Sequence, residues 1–442
     1  MNEELIVIGG GLAGSESAWQ AAKRGVKVRL YEMRPGRMTE AHATSLLGEL
    51  VCSNSLRSND PQSAPGILKK ELSMAGSLIM EAAEASSVPA GSALAVDRGL
   101  FAEYITDRLS THPDIRIIRE EVNELPAVPV VIATGPLTSP SMTEALAQLA
   151  GSDHLYFYDA IAPIIAAASI DKEKVFRMSR YGKGGDDYLN CPMDRREYEH
   201  FYDAMQHAEK VEPRGFEEKK VFEGCMPIEV MASRGFDTMR FGPMKPVGLP
   251  DPKTGREPFA VVQLRSENRE MTAYNLVGFQ TRLKWPEQKR VFRMIAGLEN
   301  AEFLRYGSIH RNTFINAPML LNKDLTFQER PDLFLAGQIT GVEGYLESTA
   351  MGLIAGINAA LKLKGMDIPP VPPASAHGAL IRHITESDSR HFQPSNINFG
   401  LFPVSAFLEN MRDKKKKKAK IAEGALAAWR SYLSEVEGQW KK

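Results

Sequence analysis

The stretch Leu5-Ile6-Val7-Ile8-Gly9-Gly10-Gly11-Leu12-Ala13-Gly14 decides the fold. Its four continuous apolar residues read as a strand buried on both faces of a parallel sheet. The residues after it satisfy G-x-G-x-x-G, with a strand before and a helix behind, which is the context that motif requires. Gly9 permits the tight turn, Gly11 lets the backbone approach a pyrophosphate, and Gly14 lets helix and strand pack closely. Small and apolar residues recur at helical spacing from Leu12 to Lys23, Gly25 ends the helix, and Val26 to Glu32 reads as a second strand. The N-terminus of that helix, at Gly10, Leu12 and Ala13, presents oriented N–H groups to phosphates. Glu32 closes the second strand, where a carboxylate accepts hydrogen bonds from a ribose.

Working outward, 442 residues are too many for one ordinary core, so two or three domains are expected. Apolar residues at 43% and charged residues at 25% place the chain among globular proteins. Lys plus Arg (54) balances Asp plus Glu (55), which excludes a uniformly basic nucleic-acid coat while leaving room for a local basic face. Cys52, Cys191 and Cys225 are too far apart for a metal knuckle and odd in number for a disulfide framework, so no metal and a reducing compartment are expected. Met1-Asn2-Glu3-Glu4 leads straight into a strand without a basic leader, and no run approaches 18 apolar residues. The expected location is cytoplasmic, with no membrane and no obligate protein partner.

Further along, Pro35 to Pro65 is rich in Ser, Asn, Gly and Thr and longer than a connection needs, which marks a functional loop. Asp97 to Leu109 reads as helix and Val128 to Ala133 as another buried strand. From about Asp171 to Arg305 charged and aromatic residues increase, with a strand at Phe259 to Leu264, as in an inserted domain. Leu333 to Ala336 is again a short apolar strand, followed by Gly337 and a small-residue helix from about Glu343 to Leu363. The expectation is an α/β chain: a discontinuous Rossmann-type FAD domain, 1–170 and 305–442, with an α+β insertion at 171–304. Val130-Val131-Ile132-Ala133-Thr134-Gly135 resembles the A-T-G strand end of the two-dinucleotide-binding flavoproteins, and Leu333 to Gly337 resembles their C-terminal flavin motif. Thr134, Gly135, Gly337, Gln338, Gly344 and Tyr345 thereby join the FAD-binding set. Gln338 stands where those proteins carry an acidic residue, so the ribityl contact must differ. The helix opening at Glu343-Gly344-Tyr345 turns its positive end toward the flavin.

Over nearly its whole length the sequence also resembles the TrmFO family, the folate- and FAD-dependent tRNA uracil-5-methyltransferases. The most specific stretches are Glu49-Leu50-Val51-Cys52-Ser53-Asn54-Ser55, Phe222-Glu223-Gly224-Cys225-Met226-Pro227-Ile228-Glu229, Gly307-Ser308-Ile309-His310-Arg311-Asn312-Thr313 and Ala336 to Ser348. The resemblance implies methylation of uridine 54 in the tRNA TΨC loop, with 5,10-methylenetetrahydrofolate as carbon donor, reduced FAD as reductant and NADH or NADPH behind it. MnmG (GidA), which modifies the wobble uridine, shares the glycine motif but carries a long extra helical C-terminal domain. The shorter chain here favours TrmFO. A small-molecule FAD oxidoreductase and a non-enzymatic tRNA-binding flavoprotein are the other readings.

Uracil C5 is a poor nucleophile until something adds to C6, and a thiolate both adds and leaves well. By resemblance Cys225, in a tight bend before Met226-Pro227, is the nucleophile and Cys52 the base that removes the C5 proton, though the two roles can be exchanged. Free cysteine is among the most buried residue types, and Cys191 is left as packing. His310 stacking on the pterin and Arg282 holding the folate glutamate or a phosphate complete the implied folate contacts. Lys219, Lys220, Arg195, Arg196 and Lys415 are the tRNA candidates, to be weighed against an ordinary solvated basic face.

Overall fold

Glu4–Ile8 takes the middle of a six-stranded sheet because its apolar side chains need cover on both faces. In order across the sheet lie Thr326–Phe327, Arg330–Leu335, Val130–Ile132, Glu4–Ile8, Lys27–Tyr31 and Ile115–Ile118. The last five are parallel, with Ile6 opposite Val130 and Leu5 opposite Val28, and Thr326–Phe327 closes one edge antiparallel. The computed structural model describes residues 4–39, 41–150, 155–182, 185–211, 226–268, 270–390, 392–403, 411 and 413–440, with the backbone alone at 155–161 and 308–313.

The glycine-loop helix, Leu12–Ala22, is buried along its whole length. It packs on the long helix Tyr345–Leu363, and the two meet backbone to backbone. A Cβ on Gly352 would sit 2.2 Å from the Ala13 carbonyl oxygen, and one on Gly356 would sit 2.4 Å from that of Ser17. The long helix starts two residues later than its composition suggests, because Gly344, at φ +116°, is the residue outside its first turn. The helix expected from Asp97 runs Arg98–Ser110, with the Asp97 carboxylate capping the N–H groups of Gly99 and Leu100.

Leu155–Ile161 and Ser308–Phe314 pair antiparallel, carrying the chain out to a second sheet and back. That sheet is antiparallel, in the order Phe176–Arg177, Tyr188–Met193, Ala260–Ser266, Ala273–Leu276, Ile164–Ala166 and Phe303–Arg305. Ile164–Ala166 belongs to it although it precedes residue 171, since it is the strand that bridges Ala273–Leu276 and Phe303–Arg305. Helices Arg195–His207, Ile228–Ser233 and Trp285–Phe292 flank the sheet, and Tyr198, Phe201, Phe279 and Phe292 fill a core separate from the first. A third, small sheet joins Ser55–Ser58, Ala93–Val96 and Ser87–Val88.

The chain closes with Lys414–Gln439, whose first turn carries the five lysines behind an Asp413 cap. Trp429 docks this helix on the first unit, its ring 4.1 Å from that of buried His377 and its Nε1 donating to the Glu71 carbonyl at 2.8 Å. Among the described residues no helix is long and apolar enough to cross a membrane.

The two glycine classes predict opposite outcomes. Gly352→Ala, driven into the Ala13 backbone, should lower unfolding free energy by about 1–3 kcal/mol and weaken flavin retention. Gly424→Ala, on an exposed helical position with nothing within 4 Å, should gain up to about 1 kcal/mol. Denaturant midpoints measured side by side check both, and equal effects would remove the packing explanation.

Candidate active site

Beyond the carboxyl end of the central strand opens a cavity of about 150 Å³, where an open α/β sheet binds its ligands. Gly9, Gly10, Gly11, Leu12, Ala13, Glu32, Thr134, Gly135, Gly337, Gln338 and Tyr345 all line it. Of the expected cofactor residues Gly14 and Gly344 do not, and both act through the backbone. A Cβ on Gly14 would lie 1.8 Å from the Gly9 carbonyl oxygen, whereas Gly11 has nothing within 4 Å of its Cβ position and leaves the approach to the loop open. Neither the glycine-loop helix nor the long helix has a side-chain N-cap bond. Their first-turn N–H groups are thus left for an acceptor in the cavity, as an extended pyrophosphate cofactor requires. The residues present fit FAD on these grounds.

Glu32 is the anchor of the glycine loop. Its carboxylate accepts from the Gly10 N–H at 2.9 Å, and from Arg34 through the backbone N–H, Nε and Nη2 at 3.0, 2.9 and 3.1 Å. Burial alone would push the Glu32 carboxyl up, but the Arg34 guanidinium and the two N–H groups override it and hold it below the usual carboxylate range. With four acceptor positions taken, a ribose hydroxyl must share or displace one of these bonds. Arg34, only 1% exposed, also reaches Glu49 at 3.1 Å and the Thr44 carbonyl at 3.2 Å, which folds the Pro35–Pro65 loop over the cavity. His42 on that loop lines the cavity, bonded to Thr39 Oγ1 at 2.6 Å, with burial and then the Arg34 charge lowering its pKa to about 4. Gln338, in place of the family's acidic residue, donates to Glu343 at 2.6 Å, so a carboxylate returns five residues later.

The loop bearing Cys52 is tied to this cavity through Tyr345. The Tyr345 Oη accepts the Cys52 and Ser53 N–H groups at 2.8 and 3.1 Å, while Val51, one residue earlier, is part of the cavity wall. Burial, and then the charge of an ionised Cys52, push the Tyr345 phenol up, so it stays a neutral hydroxyl. Arg98 holds the same loop by its carbonyls, donating to Leu50 and Cys52 while paired with Glu267. From the second sheet Arg265 donates to Asn54 Oδ1 and Ser53 Oγ, each at 2.9 Å. Asn54 returns the bond across the two units, giving its Nδ2 to the carbonyls of Val96 and Ser266 at 2.9 Å. Arg98 and Arg265 thus both hold the loop that bears Cys52, one from each unit.

Cys225, Lys219 and Lys220 lie outside the described residues, as does the side chain of His310, whose strand position is opposite Asp159. Cys191 is fully buried in the second core, and burial pushes its thiol up. Arg282 is half-buried, its backbone N–H on Glu229 at 2.9 Å and its Nε 3.7 Å from the same carboxylate. Arg195 and Arg196 are exposed on the first turn of the helix Arg195–His207, with Arg195 paired to Glu199, and Lys415 is exposed on the C-terminal helix. Sequence reading missed Arg34, Arg98, Arg265, Arg305, His42 and the Asn54 clamp. Only Arg265 left a trace, as a charge inside the apolar strand Ala260–Ser266.

Comparison with known proteins shows the family. The family model described as Glucose inhibited division protein A matches residues 4–367. The methylenetetrahydrofolate–tRNA-(uracil-5-)-methyltransferase TrmFO of Geobacter sulfurreducens is 60% identical, covering 99% of this chain and 100% of its own. The protein of the same name from Moorella thermoacetica is 57% identical over 98% of each chain. Among solved structures, Aquifex aeolicus GidA in its form II crystal superposes with a TM-score of 0.70 at 18% identity, over 98% of this chain and 76% of that one. That likeness concerns the fold.

Between about pH 4 and pH 6.5 the unfolded chain carries a proton on His42 that the folded chain lacks. The stability contributed by neutral His42 is therefore present above pH 6.5 and lost as the pH falls toward 4. His42→Gln should flatten that part of the profile, read as urea midpoints at pH 7 and pH 4.5. Equal loss in both proteins would show that His42 is not the group responsible.

Proposed function

Because the chain belongs to the methylenetetrahydrofolate–tRNA-(uracil-5-)-methyltransferase TrmFO family, within the broader glucose inhibited division protein A group, we propose that it methylates C5 of uridine 54 in the tRNA TΨC loop. It is a flavoprotein enzyme acting on tRNA, with 5,10-methylenetetrahydrofolate as the carbon donor. NADH or NADPH reduces the flavin, and the work is done in the cytoplasm. The observation that supports this reading beyond family membership is the pair of bonds from the Cys52 and Ser53 N–H groups to Tyr345, which tie the loop bearing Cys52 to a residue of the cavity wall.

FAD, held by the glycine loop and the two helix N-termini, supplies when reduced the hydride that takes the one-carbon unit from the methylene to the methyl level. The chain's residues do the rest. The Cys225 thiolate adds to uracil C6, and the ring becomes an enolate nucleophilic at C5. Arg98, Arg265 and Arg305 provide a fixed positive field for that negative charge as C5 attacks the one-carbon unit. Cys52 removes the C5 proton, and the electron pair released breaks the bond between the one-carbon unit and its folate nitrogen, so that tetrahydrofolate leaves before the hydride arrives. Elimination then breaks the Cys225–C6 bond and returns the thiolate. His310 and Arg282 are assigned to the folate, on its pterin ring and its glutamate. Lys219, Lys220, Arg195, Arg196 and Lys415 are assigned to tRNA phosphates. Identity of 60% with the uracil methyltransferase, against 18% with GidA, favours this reading over wobble-uridine modification.

Transfer RNA carrying 5-fluorouridine blocks proton removal at C5 and should trap a covalent protein–RNA complex. Denaturing gels should show that complex for the native protein and for Cys52→Ala, and lose it for Cys225→Ala, while both variants drop methylation by at least about 100-fold. The reverse pattern exchanges the two roles. Full methylation by both variants would falsify thiol catalysis.

A further inference from the structure

We propose that Trp285 and Tyr306 form a stacking platform for a nucleobase of the tRNA loop, next to the one being methylated. Trp285 opens the helix Trp285–Phe292 and is 63% exposed, although one face of its ring is covered by Tyr306, at 5.3 Å between centroids and 14° between planes. Its other face is therefore open to solvent. Tyr306 in turn stacks on Phe303 at 5.1 Å and 10°, and Phe303 leans on Phe292, which is fully buried. The result is a ladder of near-parallel rings rooted in the second core and ending at the surface.

The ladder is held stiffly. Gln288, buried one turn after Trp285, exchanges two hydrogen bonds of 2.8 Å with the N–H and carbonyl of Gly307, which follows Tyr306. Helix and strand end are thereby fixed in register, and Pro286 stiffens the first turn. A flat aromatic face already ordered before binding is what unpaired bases use, because stacking gains no sequence bias and needs no induced fit.

Two observations point to RNA as the occupant. Lys289 lies one turn beyond Trp285 on the same helix face, exposed and without an ion pair among the described residues, as a phosphate contact beside a stacked base requires. Arg305, the residue before Tyr306, donates to the Ala41 carbonyl at 3.3 Å, and His42, next to Ala41, lines the flavin cavity. The platform thus flanks the place where the target uracil must enter. The inference rests on the tRNA reading above and deepens it.

The test is the affinity of full-length protein for unmodified tRNA, by anisotropy at several salt concentrations. Trp285→Ala and Trp285→Leu, which keeps apolar bulk without a ring, should each weaken binding about 10-fold at every salt concentration, and Trp285→Phe by less than about 3-fold. The salt slope should stay unchanged because no phosphate contact is removed. FAD content, melting temperature and the KM for methylenetetrahydrofolate should also hold. Native-like tRNA affinity in Trp285→Leu overturns the platform while leaving the enzyme's function intact. A raised folate KM with unchanged tRNA affinity overturns it in favour of a folate contact. Failure of the native protein to bind tRNA overturns the function reading and the platform with it.

Discussion

Two helices approach each other here so closely that only glycine fits between them. Gly352 and Gly356 of the long helix lie against the backbone of Ala13 and Ser17, and Gly14 lies against the turn of its own loop. That contact fixes the geometry of everything beyond the sheet. It brings the N-termini of two buried helices to one cavity, so that uncapped N–H groups and two positive dipole ends converge where a dinucleotide has its phosphates and its ring. Larger side chains at the crossing would part the helices, and the cavity would lose one of its two electrostatic walls.

The second layer of organisation is polar. Arg34 ties Glu32, and through it the glycine loop, to Glu49 on the long loop. Asn54, Arg265 and Arg98 then carry that loop across to the second sheet. Buried charges of this kind cost desolvation energy, and they persist where each is matched by a partner. The loop so held is the one bearing Cys52, the residue proposed as the base. The backbone of that loop is held by contacts from both units, so a sheet far along the chain shapes the wall of a cavity that begins at the glycine loop.

How much of this was legible depends on how local each constraint is. The strand, the glycine spacing and Glu32 are all enforced within one βαβ unit, so the sequence displays them side by side, and the cavity lies where they indicate. The returning strand and helix near Leu335 and Tyr345 were readable for the same reason. Gly352 and Gly356 looked like ordinary small residues, since their partners are more than three hundred positions away. The Asn54–Arg265 bond spans 211 positions and leaves no periodic mark. Glu32 shows a subtler case: a carboxylate in the right place, already engaged by an arginine two residues on. The aromatic ladder at Trp285 joins residues from a helix and a strand end and could be assembled only from coordinates.

The flavin, on this view, is one half of a site whose other half waits for a uracil. The most direct measurement supplies unmodified tRNA, NADPH and methylenetetrahydrofolate labelled in its methylene carbon, then locates the label by mass spectrometry of nuclease fragments. Label in 5-methyluridine at position 54 is the expected result. Label at the anticodon wobble uridine, or none in RNA while NADPH is consumed, would contradict the reaction assigned to this chain.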